Sequence, residues 1–392
     1  MKFTDGYWCV KKGITPLYAA EYSSHKVKDK ELVLYAPGRH IADRGDCLNL
    51  GMLTIRLTSP MEDVIKVTVT HFEGTASKGP FAETVRCSPH VVIEEDEDTL
   101  SFQSGNTKAV VDKRPDSWGI RFLDGDRELT NTGFRNMAYM KQERDGRVYM
   151  TEQLALDVDE YIYGLGERYT PFVKNGQSVE MWNEDGGTAS DITYKNIPFY
   201  LSNKGYGVLL DEEGDASYEI ASEKVERVQF SVEGERLAYY IINGHTPKGT
   251  VSLYTELTGK PALLPAWSFG LWLTTSFTTD YDEETTGSFI QGMADWDIPL
   301  HVFHFDCYWM EAYEWCNFTW DPATFPDPKG MLDRYHKRGL KICVWINPYI
   351  GQKSPLFQEA LKEGYLLKKK NGDVWQTDMW LSLIHISEPT RL

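Results

Sequence analysis

The chain has 392 residues, 58 acidic against 41 basic side chains and a net charge of −17, so it has room for two or three domains and its field repels nucleic acid and anionic lipid. Six cysteines (Cys9, Cys47, Cys87, Cys307, Cys316 and Cys343) form no Cys-x-x-Cys pair and no framework spacing, which argues against a zinc site and a disulfide scaffold. An aromatic share of 13%, with 12 Trp and 22 Tyr, suits a neutral ligand such as a sugar, although most of these rings are expected to pack cores.

The chain opens Met1-Lys2-Phe3-Thr4-Asp5-Gly6, without the apolar core of a signal peptide, and no stretch approaches the ~18 apolar residues of a membrane span. A cytoplasmic protein that meets neither membrane nor nucleic acid is the expectation. Up to Asn243 short alternating runs separated by turn residues predict strands: Val64 to Phe72, Trp118 to Leu123 before Asp124-Gly125, Tyr206 to Leu210, Val228 to Val232 and Leu237 to Ile242. Many such strands imply a β-sandwich over 1–243.

Thr246 followed by Pro247 reads as a helix N-cap with proline in the first turn, and Gly259 as the stop, so a linker helix is predicted over Lys248 to Thr258 within a connection spanning 244–264. Trp267 to Thr274 is a continuous apolar strand candidate. A helix from about Asp282 then places Phe289, Ile290, Met293 and Trp296 on one face, and Leu300 to Asp306 reads as a buried strand. The pattern repeats with Asp327 as cap, Met331, Leu332 and Tyr335 as the apolar face, Gly339 as stop, and a strand from Lys341 to Ile346. A third helix runs from Ser354-Pro355 to Gly364, and Asn371-Gly372 reads as a hairpin turn. Strands alternating with helices predict a parallel sheet, here the first three units of a (β/α)8 barrel over 265–380. The fold class expected is therefore multidomain β plus α/β.

From Leu381 to Arg391 the sequence is similar to a translated transposase adapter of shotgun DNA libraries, so 381–392 is expected to be an adapter-derived tail and the natural protein to continue past Trp380.

A parallel barrel carries its ligand site at the C-terminal ends of its strands. Those ends hold Ser276-Phe277-Thr278-Thr279-Asp280, then Asp306-Cys307-Tyr308-Trp309-Met310, then Trp345-Ile346-Asn347-Pro348. Aromatic rings beside a carboxylate suit a sugar, whose apolar face stacks while its hydroxyls hydrogen-bond. Asp306 also fits a turn or capping aspartate, Trp345 and Phe277 also fit barrel filling, and Asp185 also fits an Asp-Gly turn.

The motifs Tyr163-Gly164-Leu165-Gly166-Glu167-Arg168, Trp182-Asn183-Glu184-Asp185-Gly186-Gly187, Phe269-Gly270-Leu271-Trp272, His304 to Trp309 and Val344 to Pro348 resemble the α-xylosidase branch of glycoside hydrolase family 31. The resemblance implies a galactose-mutarotase-like sandwich before the barrel. It further implies a sugar subsite in which Asp306 binds hydroxyls, Trp345 and Phe277 form walls, and Asp185 reaches in from a sandwich loop. Glu167 and Arg168 are expected to order their loop. Family members that cut glucosides usually carry Asp-Ile-Asp-Tyr-Met where this chain has Asp306-Cys307-Tyr308-Trp309-Met310. Cys307 and the bulky Tyr308 would fill the space of a glucose hydroxymethyl group and so favour xylose, although Tyr308 departs from the phenylalanine expected there. The implied chemistry is retaining hydrolysis by two carboxyl groups ~5–5.5 Å apart, without metal or cofactor. Both carboxyls are expected beyond Trp380, so this chain holds no catalytic residue and is expected to be inactive, and the full-length protein is expected to be homo-oligomeric. An α-glucosidase and a non-catalytic carbohydrate-binding fragment are the alternatives.

Overall fold

The computed structural model describes residues 1–6, 9–74, 87, 89–184, 190–276, 279–312, 314, 316–348 and 350–376, and the chain divides into two compact units, Met1–Pro261 and Ala262 onward. The expected hairpins and alternation build the first unit. In Val64–Thr70 the side chains of Ile65, Val67 and Val69 are fully buried while Lys66, Thr68 and Thr70 between them are half-exposed, the period of two that a one-sided sheet requires. That strand pairs antiparallel with Met52–Met61 and with Arg236–Asn243.

Three antiparallel sheets enclose a common core. The largest has eight strands in the order Ile162–Gly164, Phe199–Ser202, Tyr206–Leu210, Arg236–Asn243, Val64–Thr70, Met52–Met61, Glu31–Pro37 and Ser24–Lys28. A six-stranded sheet runs Gln177–Met181, Ala216–Ile220, Arg227–Glu233, Val148–Ala155, Ala138–Gln142 and Ile14–Tyr18. A five-stranded meander covers Val91–Glu95 through Arg127–Thr132. Leu57, Val67, Phe102, Ile120, Leu154, Val208 and Phe230 from all three meet in one apolar cluster, each worth about 2–5 kcal/mol against truncation to alanine.

The junction of these sheets holds a fully buried carboxyl group. Glu152, in Val148–Ala155, accepts from the Thr132 hydroxyl at 2.6 Å, the Tyr239 hydroxyl at 3.2 Å and the Gln153 N–H at 3.1 Å. Thr132 belongs to the five-stranded sheet and Tyr239 to the eight-stranded one. Burial raises this carboxyl to about 7, the three donors and the charge of Arg227 only partly opposing the shift.

Helix α1 (Pro247–Thr258) closes the first unit. The Thr246 hydroxyl accepts from Gly249 N–H at 3.1 Å, and Gly259, with φ +105°, ends the helix as its residue type foretells. Leu257 is buried, and Tyr254 stacks on Phe199 at 4.2 Å.

The second unit alternates β1 (Leu271–Leu273), α2 (Glu283–Asp295), β2 (Leu300–Phe305), α3 (Pro328–Lys337), β3 (Lys341–Val344) and α4 (Pro355–Glu363). The strands are parallel in the order β1-β2-β3, with Leu273 opposite Phe303 and Phe305 opposite Val344. Asp282, Asp327 and Ser354 cap the helices as read, each side-chain oxygen accepting a first-turn N–H. On the outer side α2 and α3 are latched. Arg334 forks onto Glu283 at 2.5 and 2.6 Å, and the Thr286 and Tyr335 hydroxyls meet at 2.5 Å.

Three predicted features come out differently. The apolar run Trp267 to Thr274 is not one strand: Ala266–Phe269 forms a 3-10 turn closed by Gly270 N–H onto Trp267 O, and only Leu271–Leu273 pairs. An apolar run looks the same in a turn as in a buried strand, and Phe269 is 78% exposed. Trp296 is the C-cap of α2 and 81% exposed, so the buried face of that helix ends before it. Strand β3 stops at Val344, two residues short of Ile346, which is 61% exposed.

Candidate active site

The C-terminal ends of the three barrel strands come together through β2. Its aromatic residue Phe305 is fully buried and meets Tyr281, Phe303, Trp320 and Phe325 edge-on, with centroids 5.0 to 5.8 Å away. This ring cluster is a rigid floor. Asp306 follows directly, half-buried, with φ −80° and ψ −169°.

The capping reading of Asp306 holds in full. Its Oδ1 accepts the Cys307 N–H at 2.7 Å at the start of the 3-10 turn Cys307–Trp309. The other oxygen, Oδ2, accepts the Ser276 hydroxyl at 3.3 Å, which ties the loop after β1 to the end of β2. Ser276 sits at φ +53°, in the left-handed region that a non-glycine residue enters at a cost of roughly 1 kcal/mol. A carboxylate has about four lone-pair sites, more than Cys307 N–H and Ser276 use, which leaves acceptor capacity for a ligand hydroxyl.

Cys307 is 2% exposed, and burial, reinforced by the adjacent Asp306 charge, pushes its thiol up to about 12. It is a neutral packing group at physiological pH. Tyr308 is half-buried beside Tyr281, with ring centroids 6.3 Å apart. Desolvation lowers the half-buried His304, which is therefore neutral near pH 7. Trp345 is half-buried just past β3; its N–H donates to Phe305 O at 2.7 Å, and its carbonyl accepts the Trp309 indole N–H at 2.7 Å. The Cys316 thiol donates to Asn347 Oδ1 at 2.8 Å. The structure thus brings Asp306, Cys307, Tyr308 and Trp345 to one end of the sheet. Phe277 and Asp185 lie outside the described residues.

Sequence reasoning placed Ser276 and Trp309 at the strand ends without giving either a bond to make, and it passed over Tyr281. Tyr281 stands immediately before the capping Asp282 and is 4% exposed; an aromatic residue ahead of a cap is the usual sign of a side chain packed under the helix entry. Among the described residues there is no cluster of three His, Cys, Asp or Glu side chains fit to hold a metal ion, and no helix long and apolar enough to cross a membrane.

In the first unit the Gly164-Leu165-Gly166-Glu167-Arg168 segment is scaffolding, as its residue types suggest. Gly166 has φ +89°, and a Cβ there would lie 1.9 Å from Lys195 O. Arg168 donates to the carbonyls of Leu165, Glu180 and Asp191 at 2.9 to 3.0 Å and to Asn196 Oδ1. It thereby plugs the free edge of Gln177–Met181, while Glu167 pairs with Lys195 at 3.0 Å. Trp182, 60% exposed, continues from that strand toward the segment that carries Asp185.

Residues 261–390 match the glycosyl hydrolases family 31 TIM-barrel domain, and residues 54–219 match the glycosyl hydrolase 31 N-terminal galactose mutarotase-like domain. The chain is 51% identical over 380 residues to the α-xylosidase XylQ of Lactiplantibacillus pentosus, covering 97% of this chain and 50% of that protein. It is 44% identical over 399 residues to an α-xylosidase of Emericella nidulans, covering 97% of this chain and 51% of that one. The chain spans about half the length of these curated relatives. A family 31 dextranase of Flavobacterium johnsoniae, solved with glucose, superposes with a TM-score of 0.76 at 22% identity over 94% of this chain and 44% of that one, a likeness of fold. With both domain profiles in succession and two relatives matching along nearly its whole length, the chain belongs to glycoside hydrolase family 31.

Proposed function

We propose that the chain is the N-terminal part of a retaining glycoside hydrolase acting on α-xylosidic linkages. One observation carries the reading: in a barrel of this family, Asp306 at the tip of β2 leads into the buried Cys307 and the bulky Tyr308 rather than into isoleucine and aspartate. Two relatives that match nearly the whole chain bear the name α-xylosidase. In this reading Asp306 binds sugar hydroxyls, Trp345 and Phe277 flank the ring, Cys307 and Tyr308 occupy the space a hydroxymethyl group would need, and Asp185 contributes from the sandwich. The domain division is 1–243 sandwich, 244–264 connection, 265–380 barrel and 381–392 tail.

The nucleophile and the acid/base belong to residues beyond Trp380, and neither Asp280 nor Asp306 replaces them. Asp306 is engaged by Cys307 N–H and by Ser276, which suits a binding group. The 392-residue chain is therefore inactive alone, and the full-length protein is a cytoplasmic, homo-oligomeric enzyme whose partner is a carbohydrate.

Two preparations test this. A full-length protein, obtained by reading the source gene past codon 380, should release the aglycone from an aryl α-xyloside far faster than from the matching α-glucoside. Equal or reversed rates would return the α-glucosidase reading. Turnover of the xyloside by the 392-residue chain would refute its inactivity.

A further inference from the structure

We propose that Trp309 is a positioning residue for Trp345, a strap that holds the proposed sugar wall through its own main chain; the inference rests on the sugar-site reading of Trp345 above. β3 ends at Val344, and the Trp345 N–H makes the last bond of its ladder with β2. The two main-chain polar groups of Trp345 are tied to the last residue of β2 and to the turn that follows it. The N–H reaches Phe305 O at 2.7 Å, and the carbonyl receives the Trp309 indole N–H, also at 2.7 Å, from 36 residues away. Two residues on, Asn347 accepts the Cys316 thiol.

Trp309 is itself immobilised. It is 4% exposed, and its ring meets Trp320 at 5.2 Å and 61°; Trp320 in turn stands edge-on to Phe305 at 5.2 Å and to Phe325 at 5.0 Å. A buried indole N–H needs an acceptor, and here it spends its single donor on the one carbonyl that fixes the backbone beneath Trp345. Stacking on a sugar face tolerates little displacement of the ring, so an anchor on that backbone sets how well the wall fits. Among the described residues Tyr335, equally buried, bonds its hydroxyl to that of Thr286 between α3 and α2 and makes no hydrogen bond to Trp345, so Tyr335→Phe controls for the loss of a buried hydrogen bond elsewhere in the unit.

The test uses the 392-residue chain with 15N-labelled tryptophan, titrated with methyl α-xyloside, the Trp345 indole signal being assigned by Trp345→Phe. In the wild type that signal should move with xyloside, and the Trp309 indole proton should exchange slowly with solvent. Trp309→Phe should shift the Trp345 signal in the free protein and weaken xyloside binding by about fivefold, the worth of one ordinary hydrogen bond. Tyr335→Phe should leave both in place. The proposal is overturned if Trp309→Phe binds as the wild type does, if Tyr335→Phe weakens binding equally, or if the Trp309 indole proton exchanges as fast as an exposed one. That last measurement needs only the wild type and decides the matter should Trp309→Phe fail to fold. A Trp345 signal blind to xyloside in the wild type sinks the sugar-site reading and the strap with it, whereas one that responds without regard to Trp309 sinks the strap alone.

Discussion

Replacing Glu152 with glutamine should remove a pH dependence from the stability of the sandwich. The folded carboxyl titrates at about 7 against an ordinary value of 4.5, because it is wholly buried and its three donors carry no full charge. A group that binds its proton more tightly when folded stabilises the folded state fully below the unfolded value. That contribution fades as pH rises from about 4.5 and is gone once pH passes the folded value near 7. The gap corresponds to about 3 kcal/mol, at roughly 1.4 kcal/mol per tenfold change in proton affinity. Glutamine keeps an acceptor for Thr132 and Gln153 and offers its amide to the Tyr239 oxygen, without ionising at any pH. Urea unfolding followed by far-ultraviolet circular dichroism between pH 5 and 9 should therefore show the wild type losing stability relative to Glu152→Gln as pH rises. A wild-type-minus-variant difference that stays flat across that range would refute the reasoning.

Other perturbations act on bonds and turns described above. Arg168→Lys keeps the charge but loses the fork onto three carbonyls, and should destabilise the first unit by about 2–4 kcal/mol in the same unfolding assay. Gly166→Ala meets both a left-handed backbone and the Lys195 carbonyl, so a loss of about 3 kcal/mol or more, or failure to express in folded form, is expected. Thr246→Ala removes the cap of α1 and should cost about 1 kcal/mol. With a chromogenic disulfide reagent near pH 8, Cys9, Cys47 and Cys87 should react at once, and the buried Cys307 and Cys316 only after denaturation.

What the sequence made legible was local. Thr246, Asp282, Asp327 and Ser354 announce their helices because a cap is written within four residues, and the structure honours each. The strand-turn rhythm of the first unit is equally local, but its order of strands is not: nothing in Ser24–Lys28 says that it closes one side of a sheet whose other side is Ile162–Gly164. Glu152 was illegible because its strand, Val-Tyr-Met-Thr-Glu-Gln-Leu-Ala, reads as partly solvated while six of its eight residues are buried. At the candidate site the residue types drew attention to Asp306 and Trp345. The bonds that fix them, from Ser276 and Trp309, depend on which loop tips the parallel sheet brings together, and composition does not record that.

The latch between α2 and α3 has a consequence in time. Glu283 must wait for Arg334, 51 residues further along the chain. During synthesis at roughly 5–20 residues per second that wait is roughly 3–10 s. For those seconds α2 is without half of its clasp, and Ile290 without Tyr335 and Met331, which later join it in one apolar cluster. Codons that slow translation between 283 and 334 would lengthen the wait, and demand for chaperones should follow the pace of the ribosome through this stretch.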